Sequence, residues 1–205
     1  MKKGILGGTF NPIHIAHIEI GRAAKEQFSL DRLYFMPLSV PSYKDTKDIE
    51  SFSDRINMAK IAADSLLGGE KNGYFVSDLE GKREGYTYTA DTITILKEKE
   101  PDTDFYFIIG GDSLMSFTKW KKPEVITHNA TLLVSPRPDT DLSELEREAE
   151  RLRHNLAANI YFIKNIDLNV SSTEIRKQLN NRLSVNTVPS PVLDYIKERG
   201  LYVRK

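Results

Sequence analysis

The stretch Gly7-Gly8-Thr9-Phe10-Asn11-Pro12-Ile13-His14-Ile15-Ala16-His17 decides how this chain is read. It follows a short apolar run, Ile5-Leu6, that reads as the end of a first β-strand. It precedes Ile18-Glu19-Ile20-Gly21-Arg22-Ala23-Ala24, which reads as a helix. A glycine pair between strand and helix lets backbone N–H groups approach a ligand closely, and a helix N-terminus favours negative charge. His14 and His17, three residues apart, fall on one side of the first helical turn. The pattern describes a phosphate site with two imidazole donors added. A plain strand-to-helix turn with two unrelated surface histidines is the alternative.

Outward from this turn, short β-rich runs alternate with amphipathic stretches. Strands are expected at 3–6, 32–36, 74–77, 104–109, 130–134 and 160–163, and helices at 15–28, 52–67, 89–99, 114–119 and 142–156. Strands separated by helices of this length imply right-handed crossovers and a doubly wound, mainly parallel α/β sheet. In such sheets ligands bind at the carboxyl ends of the strands, near a reversal of strand order. The chain is expected to form one domain over 1–205, with about 177–205, including a helix at 189–199, as a small helical tail. The most loop-like segment, 37–51, holds Pro37, Pro41, Asp45 and Asp48 and is expected to be a mobile flap.

Composition bounds the chemistry. The 205 residues are 40% hydrophobic, which suits a sizeable core. Lys and Arg together number 29, as do Asp and Glu, so no general charge excess draws nucleic acid or an anionic membrane. Anion chemistry must come from a local arrangement. The chain has no cysteine, which excludes disulfides, thiolate metal sites and cysteine nucleophiles. No apolar stretch approaches the roughly 18 residues of a membrane span. Met1-Lys2-Lys3 runs into a glycine turn rather than a signal-peptide core, so the expected location is cytoplasmic.

A second constellation lies far downstream, in Asn169-Val170-Ser171-Ser172-Thr173-Glu174-Ile175-Arg176. Ser171 and Glu174 have capping-box spacing, and any helix could begin this way. Three hydroxyls in a row with Arg176 one turn on also suit a polyphosphate. Both readings stand on the residues alone.

Together the segments resemble one family. Gly-Gly-Thr-Phe-x-Pro-x-His-x-x-His, with Ser-Ser-Thr-x-Ile-Arg near the end, is similar to the HxGH nucleotidyltransferase superfamily, and within it to the bacterial nicotinate-mononucleotide adenylyltransferases. Tyr86-Thr87-Tyr88-Thr89-Ala90-Asp91-Thr92 resembles that family's Tyr-Thr-x-Asp-Thr segment. Phe107-Ile108-Ile109-Gly110-Gly111-Asp112-Ser113-Leu114, followed by Trp120, resembles its Ile-Ile-Gly-x-Asp-Ser and tryptophan block. Ser135-Pro136-Arg137-Pro138 and the ending Val188-Pro189 to Gly200-Leu201-Tyr202 match too.

The resemblance implies a Rossmann-like fold and an enzyme of NAD biosynthesis. It would transfer adenylate from ATP to nicotinate mononucleotide, giving deamido-NAD and pyrophosphate, with Mg²⁺ entering on ATP. By resemblance, His14 and His17 contact the ATP phosphates and Arg176 the departing pyrophosphate. Gly7, Gly8, Thr9 and Phe10 supply backbone contacts, and Ser171, Ser172 and Thr173 a phosphate-binding helix start. Asp112 would face ribose hydroxyls, and Arg137 the adenine or triphosphate. Lys44 would neutralise a substrate phosphate, the N–H groups of Thr87, Tyr88 and Thr89 would bind the nicotinate carboxylate, and Trp120 would stack on the pyridine ring. A homo-oligomer is plausible for the family.

Three positions depart from the pattern. Asn11 stands where the family usually has Asp, Ala16 replaces the glycine of HxGH, and Tyr43 replaces the histidine of Pro-Pro-His-Lys. Two rival readings remain: a related nucleotidyltransferase using nicotinamide mononucleotide, phosphopantetheine or a cytidylyl donor, and a nucleotide-binding regulatory module without turnover. A protein-held zinc is not expected, because His14 and His17 lack a partnered acid and His128 and His154 read as surface histidines.

Overall fold

The strand order in the computed structural model is β3-β2-β1-β4-β5-β6, with every neighbouring pair parallel. The structure describes residues 1–39, 48–83, 85–164 and 166–203. The strands are β1 (Lys2–Gly8), β2 (Arg32–Pro37), β3 (Tyr74–Val76), β4 (Asp104–Gly110), β5 (Ala130–Ser135) and β6 (Ile160–Phe162). The helices are α1 (Ile15–Gln27), α2 (Phe52–Leu67), α3 (Thr89–Lys99), α4 (Gly111–Met115), α5 (Pro123–Asn129), α6 (Leu142–Leu156), α7 (Ser172–Asn180) and α8 (Ser190–Arg199). All six expected strands form, and the order is the doubly wound, Rossmann-like one, reversing between β1 and β4.

The alternation of side chains along each strand divides the core in two. Leu6, Leu33, Phe35, Ile108 and Leu133 point to one face and pack with Ile18 and Ala24 of α1, Met58 and Ala62 of α2, and Val192 and Ile196 of α8. Ile5, Met36, Phe107, Ile109, Leu132 and Val134 point to the other, against Ile93 of α3, Leu114 of α4, Ile126 of α5, and Leu145 and Leu152 of α6. Both faces are covered, which is why the strands read as continuous apolar runs. The 189–199 stretch forms α8, which is held on α2 by the Tyr195 hydroxyl donating to Asp54 Oδ1 at 2.8 Å.

Two local expectations differ. The helix expected over 114–119 is α4 followed by a separate 3₁₀ turn, Phe117–Lys119. Ser116 breaks it: its hydroxyl donates back to the Asp112 carbonyl at 3.0 Å, and its backbone leaves the helical region. The sequence reading also passes over α5, which is too short to show a period and starts at a proline after Lys122, in the left-handed region. Of the segment 37–51, residues 40–47 lie outside the described residues, and with them Lys44 and Tyr43.

Candidate active site

The strand-order reversal places the carboxyl ends of β1 and β4 side by side, and the Gly7-to-His17 stretch leaves β1 at that edge. Phe10 lies in the left-handed region at φ 48° with its ring buried. A Cβ on Gly8 would come within 2.9 Å of that ring, so glycine at this position lets Phe10 fold beneath the turn. The Phe10 ring then meets the His17 ring edge-on at 4.9 Å and supports it from behind. His14 is the N-cap of α1, and the rings of His14 and His17 stack at 3.7 Å.

The protonation states follow from this packing. The His14 N–H donates to His17 Nδ1 at 3.3 Å, which leaves the His17 ring proton on Nε2. His14 is 5% exposed, and its Nδ1 has no hydrogen-bond partner among the described residues. Burial, and then the charge of Arg137, lower its pKa to about 4. His14 is therefore neutral at pH 7 and meets an anion as a hydrogen-bonding group, not as a cation.

The downstream constellation docks directly on this loop. Ser172 Oγ donates to the Pro12 carbonyl at 3.1 Å, Arg176 Nη1 to the Asn11 carbonyl at 2.9 Å, and Arg176 Nη2 to Thr173 Oγ1 at 3.3 Å. Ser171 is the N-cap of α7 without a side-chain capping bond, and Glu174 lies 3.9 Å from Lys177 instead. The capping-box alternative does not form. Ser171 and Thr173 are exposed at the mouth of the site.

Asn11 acquires a definite role. Its Nδ2 donates to the Asp48 carbonyl at 2.8 Å, while its Oδ1 accepts from the Glu50 N–H at 3.1 Å and the Tyr202 hydroxyl at 2.9 Å. An aspartate could not donate to the Asp48 carbonyl, so asparagine is the residue that satisfies all three partners here. Ala16, the second departure, is buried.

Across the strand reversal, Asp112 in α4 pairs with Arg137, just past β5, at 3.1 Å, with both side chains exposed. Further along the edge, Tyr88 is the N-cap of α3 and Thr87 is buried. The first N–H to bond back is that of Thr92, to the Tyr88 carbonyl at 3.1 Å. The N–H groups without intrahelical partners are thus those of Tyr88 to Asp91, two residues past the expected Thr87 to Thr89 at the far end. Trp120 is half-buried, leaning on Phe117 at 5.3 Å and edge-on to Phe107 at 6.3 Å. Its neighbour Lys121 lies 4.1 Å over the Tyr88 ring and 3.4 Å from Asp91, joining the tryptophan turn to the start of α3. His128 and His154 are exposed, as expected.

The sequence reading missed three buried polar residues that border this site: Arg55, Glu80 and Tyr202. Within its helix Arg55 looks like any solvated-face arginine, so only the fold reveals its place.

These features define a class: a parallel nucleotide-binding sheet with paired imidazoles and an arginine at its switch point. The cytidylyltransferase-like family model matches residues 5–178. A protein of Lachnoclostridium phytofermentans named "Probable nicotinate-nucleotide adenylyltransferase" is 38% identical over 98% of this chain and 99% of its own. One of the same name from Dehalococcoides mccartyi is 39% identical over 100% of this chain and 98% of its own. The Plasmodium falciparum nicotinic acid mononucleotide adenylyltransferase complexed with NaAD shares the fold, with a TM-score of 0.81 at 24% identity over 98% of this chain and 97% of that one. The chain belongs to the cytidylyltransferase-like family, among its nicotinate-nucleotide adenylyltransferases. No helix among the described residues is long and apolar enough to cross a membrane.

Proposed function

We propose that this protein transfers the adenylyl group of ATP to nicotinate mononucleotide, forming nicotinate adenine dinucleotide and pyrophosphate. The observation that carries this reading is the docking of two anion-binding segments on each other at the switch point, through Ser172 on Pro12 and Arg176 on Asn11. The names of the full-length relatives support the same substrate pair.

A 5′-phosphate oxygen of the mononucleotide attacks the α-phosphorus in line, the bond from that phosphorus to the β-phosphate oxygen breaks, and pyrophosphate leaves. No general base is needed, because a phosphate monoester is already largely ionised at neutral pH (second pKa about 6). Catalysis is then alignment of two anions and neutralisation of charge on the transferring group. His17, with its proton on Nε2, donates to the α-phosphate, and neutral His14 donates beside it. Arg176 and the α7 start, with Ser171 to Thr173, take the β- and γ-phosphates, and backbone N–H groups of Gly8 to Phe10 line the approach. Arg137 and Asp112 border the nucleoside end of ATP.

Mg²⁺ belongs to the substrate as MgATP. No group of three or more His, Asp or Glu side chains that could hold a metal ion occurs among the described residues, and phosphate oxygens and water are the donors Mg²⁺ prefers. At the pyridine end, the N–H groups opening α3 favour a carboxylate over an amide, and Trp120 stacks on the ring. Lys44 is assigned to the mononucleotide phosphate. The molecule works on small nucleotides in the cytoplasm, without nucleic acid or membrane, as a monomer or a homo-oligomer.

ATP labelled at the α-phosphate, incubated with Mg²⁺ and nicotinate mononucleotide, tests this directly. Label should appear in the dinucleotide. Binding of ATP without transfer would overturn the enzymatic reading in favour of a regulatory module.

A further inference from the structure

Tyr202 closes a ring of hydrogen bonds with Glu50 and Asn11. Its hydroxyl donates to Asn11 Oδ1 at 2.9 Å, its N–H donates to Glu50 Oε1 at 3.0 Å, and the Glu50 N–H donates to Asn11 Oδ1 at 3.1 Å. The Asn11 amide has one orientation that fits, because its Nδ2 donates to the Asp48 carbonyl at 2.8 Å. Glu50 is braced in turn by Arg55, which is 1% exposed and donates to the backbone carbonyls of Glu50, Thr9, Leu38 and Ser39. A tyrosine 191 positions away from Asn11 is thus built into the phosphate loop.

The backbone shows that this contact is held at a cost. Tyr202 lies past the end of α8 in the left-handed region, at φ 61°, which disfavours a bulky side chain. Phe10, the residue before Asn11, is left-handed as well, at φ 48°. Both sides of the contact are therefore in conformations that persist only where the surroundings enforce them. Tyr202 is buried, and burial, with the Glu50 carboxylate close by, pushes its pKa up. Its hydroxyl keeps its proton at neutral pH and serves Asn11 as a donor.

Asn11 passes this constraint on through its backbone. Its carbonyl accepts from Arg176 Nη1 at 2.9 Å, and the following carbonyl, of Pro12, accepts from Ser172 Oγ at 3.1 Å. One residue is thus gripped at its side chain by Tyr202 and grips Arg176 with its carbonyl. We propose that Tyr202 is a positioning residue for Arg176: by holding the Asn11 side chain it fixes the Asn11 carbonyl, and with it the guanidinium that receives the departing pyrophosphate. The inference rests on the phosphate role proposed above for Arg176, and Tyr202 itself touches no reacting atom.

Tyr202→Phe removes one hydroxyl and keeps the ring. Inorganic pyrophosphate with Mg²⁺, titrated calorimetrically into the full chain, should bind this variant about fivefold more weakly, the scale of one lost hydrogen bond. kcat/KM for ATP should fall by a similar factor, while KM for nicotinate mononucleotide stays within about twofold of its original value. Tyr195→Phe is the control, because that hydroxyl bonds Asp54 and Asn57 of α2 instead. It should lower thermal stability comparably and leave pyrophosphate affinity unchanged. In an Asn11→Ala background, Tyr202→Phe should weaken pyrophosphate no further, since its acceptor is gone. Equal weakening by the two tyrosine variants, unchanged affinity in Tyr202→Phe, or an undiminished effect in the Asn11→Ala background would overturn the proposal. If the wild type binds no pyrophosphate, the phosphate role of Arg176 fails and the inference with it. If the wild type binds pyrophosphate and Tyr202→Phe binds it equally well, the inference alone fails. Should Asn11→Ala not fold, the comparison of the two tyrosine variants carries the test.

Discussion

The two ends of the site are built differently. At the phosphate end, the loop Phe10 to His17 and the start of α7 are joined by short bonds between residues some 160 positions apart, with His14 and Phe10 buried. At the pyridine end, the start of α3 and the Trp120 turn meet through one lysine, and Trp120 is only half covered. The first is a preformed cradle whose donors are already aimed. The second is an open face, which the proposed pyridine ring would cover. In the proposed reaction, chemistry that needs fixed charge positions would sit in the first part, and choice of substrate in the part that can be varied without disturbing the transfer step.

His17→Ala strikes the rigid end hardest. It should lower kcat about a thousandfold, the cost of removing a donor aimed at developing charge, with the folded circular dichroism spectrum retained. Near-normal turnover would remove His17 from the chemistry. Arg176→Lys keeps the charge but cannot hold both the Asn11 carbonyl and a phosphate in a planar fork. Steady-state kinetics should show a loss of about a hundredfold in kcat/KM for ATP. Trp120→Ala should act on the open end alone, raising KM for nicotinate mononucleotide about tenfold and KM for ATP far less. Parallel changes in both would erase the distinction between the two ends.

The smallest effect is on stability. His14 has a folded pKa of about 4, against 6.5 in the unfolded chain, so below pH 6.5 the unfolded state takes up a proton that the folded state refuses. Stability is then complete above about 6.5 and falls as pH drops toward 4, by up to about 3 kcal/mol from this residue. Urea unfolding across that range should show the decline, and His14→Asn should flatten it. A profile unchanged by the substitution would mean that the ring is not held neutral by burial.

The Gly7-to-His17 turn was legible in the sequence because its parts are local. A strand, two glycines and two histidines three apart need little tertiary context. The six strands were equally legible, since a sheet covered on both faces writes continuous apolar runs. The pairing of Ser172 and Arg176 with Pro12 and Asn11 was not readable, because contacts across such a separation leave no spacing. Asn11 looked like a lost charge and proved to be a junction of three hydrogen bonds. Arg55 was invisible for a further reason: a buried charge satisfied by backbone carbonyls carries no motif. The helix break at Ser116 was decided by a single back-bonded hydroxyl, which periodicity cannot register.

Pyrophosphate release from MgATP, measured in parallel with nicotinate mononucleotide and with its amide, tests the central claim most directly. The account predicts rapid release with the acid and release slower by at least about tenfold with the amide, since the amide turns an N–H toward the N–H groups at the start of α3. Equal release with both would contradict the carboxylate site at α3, and release with neither would contradict adenylyl transfer itself.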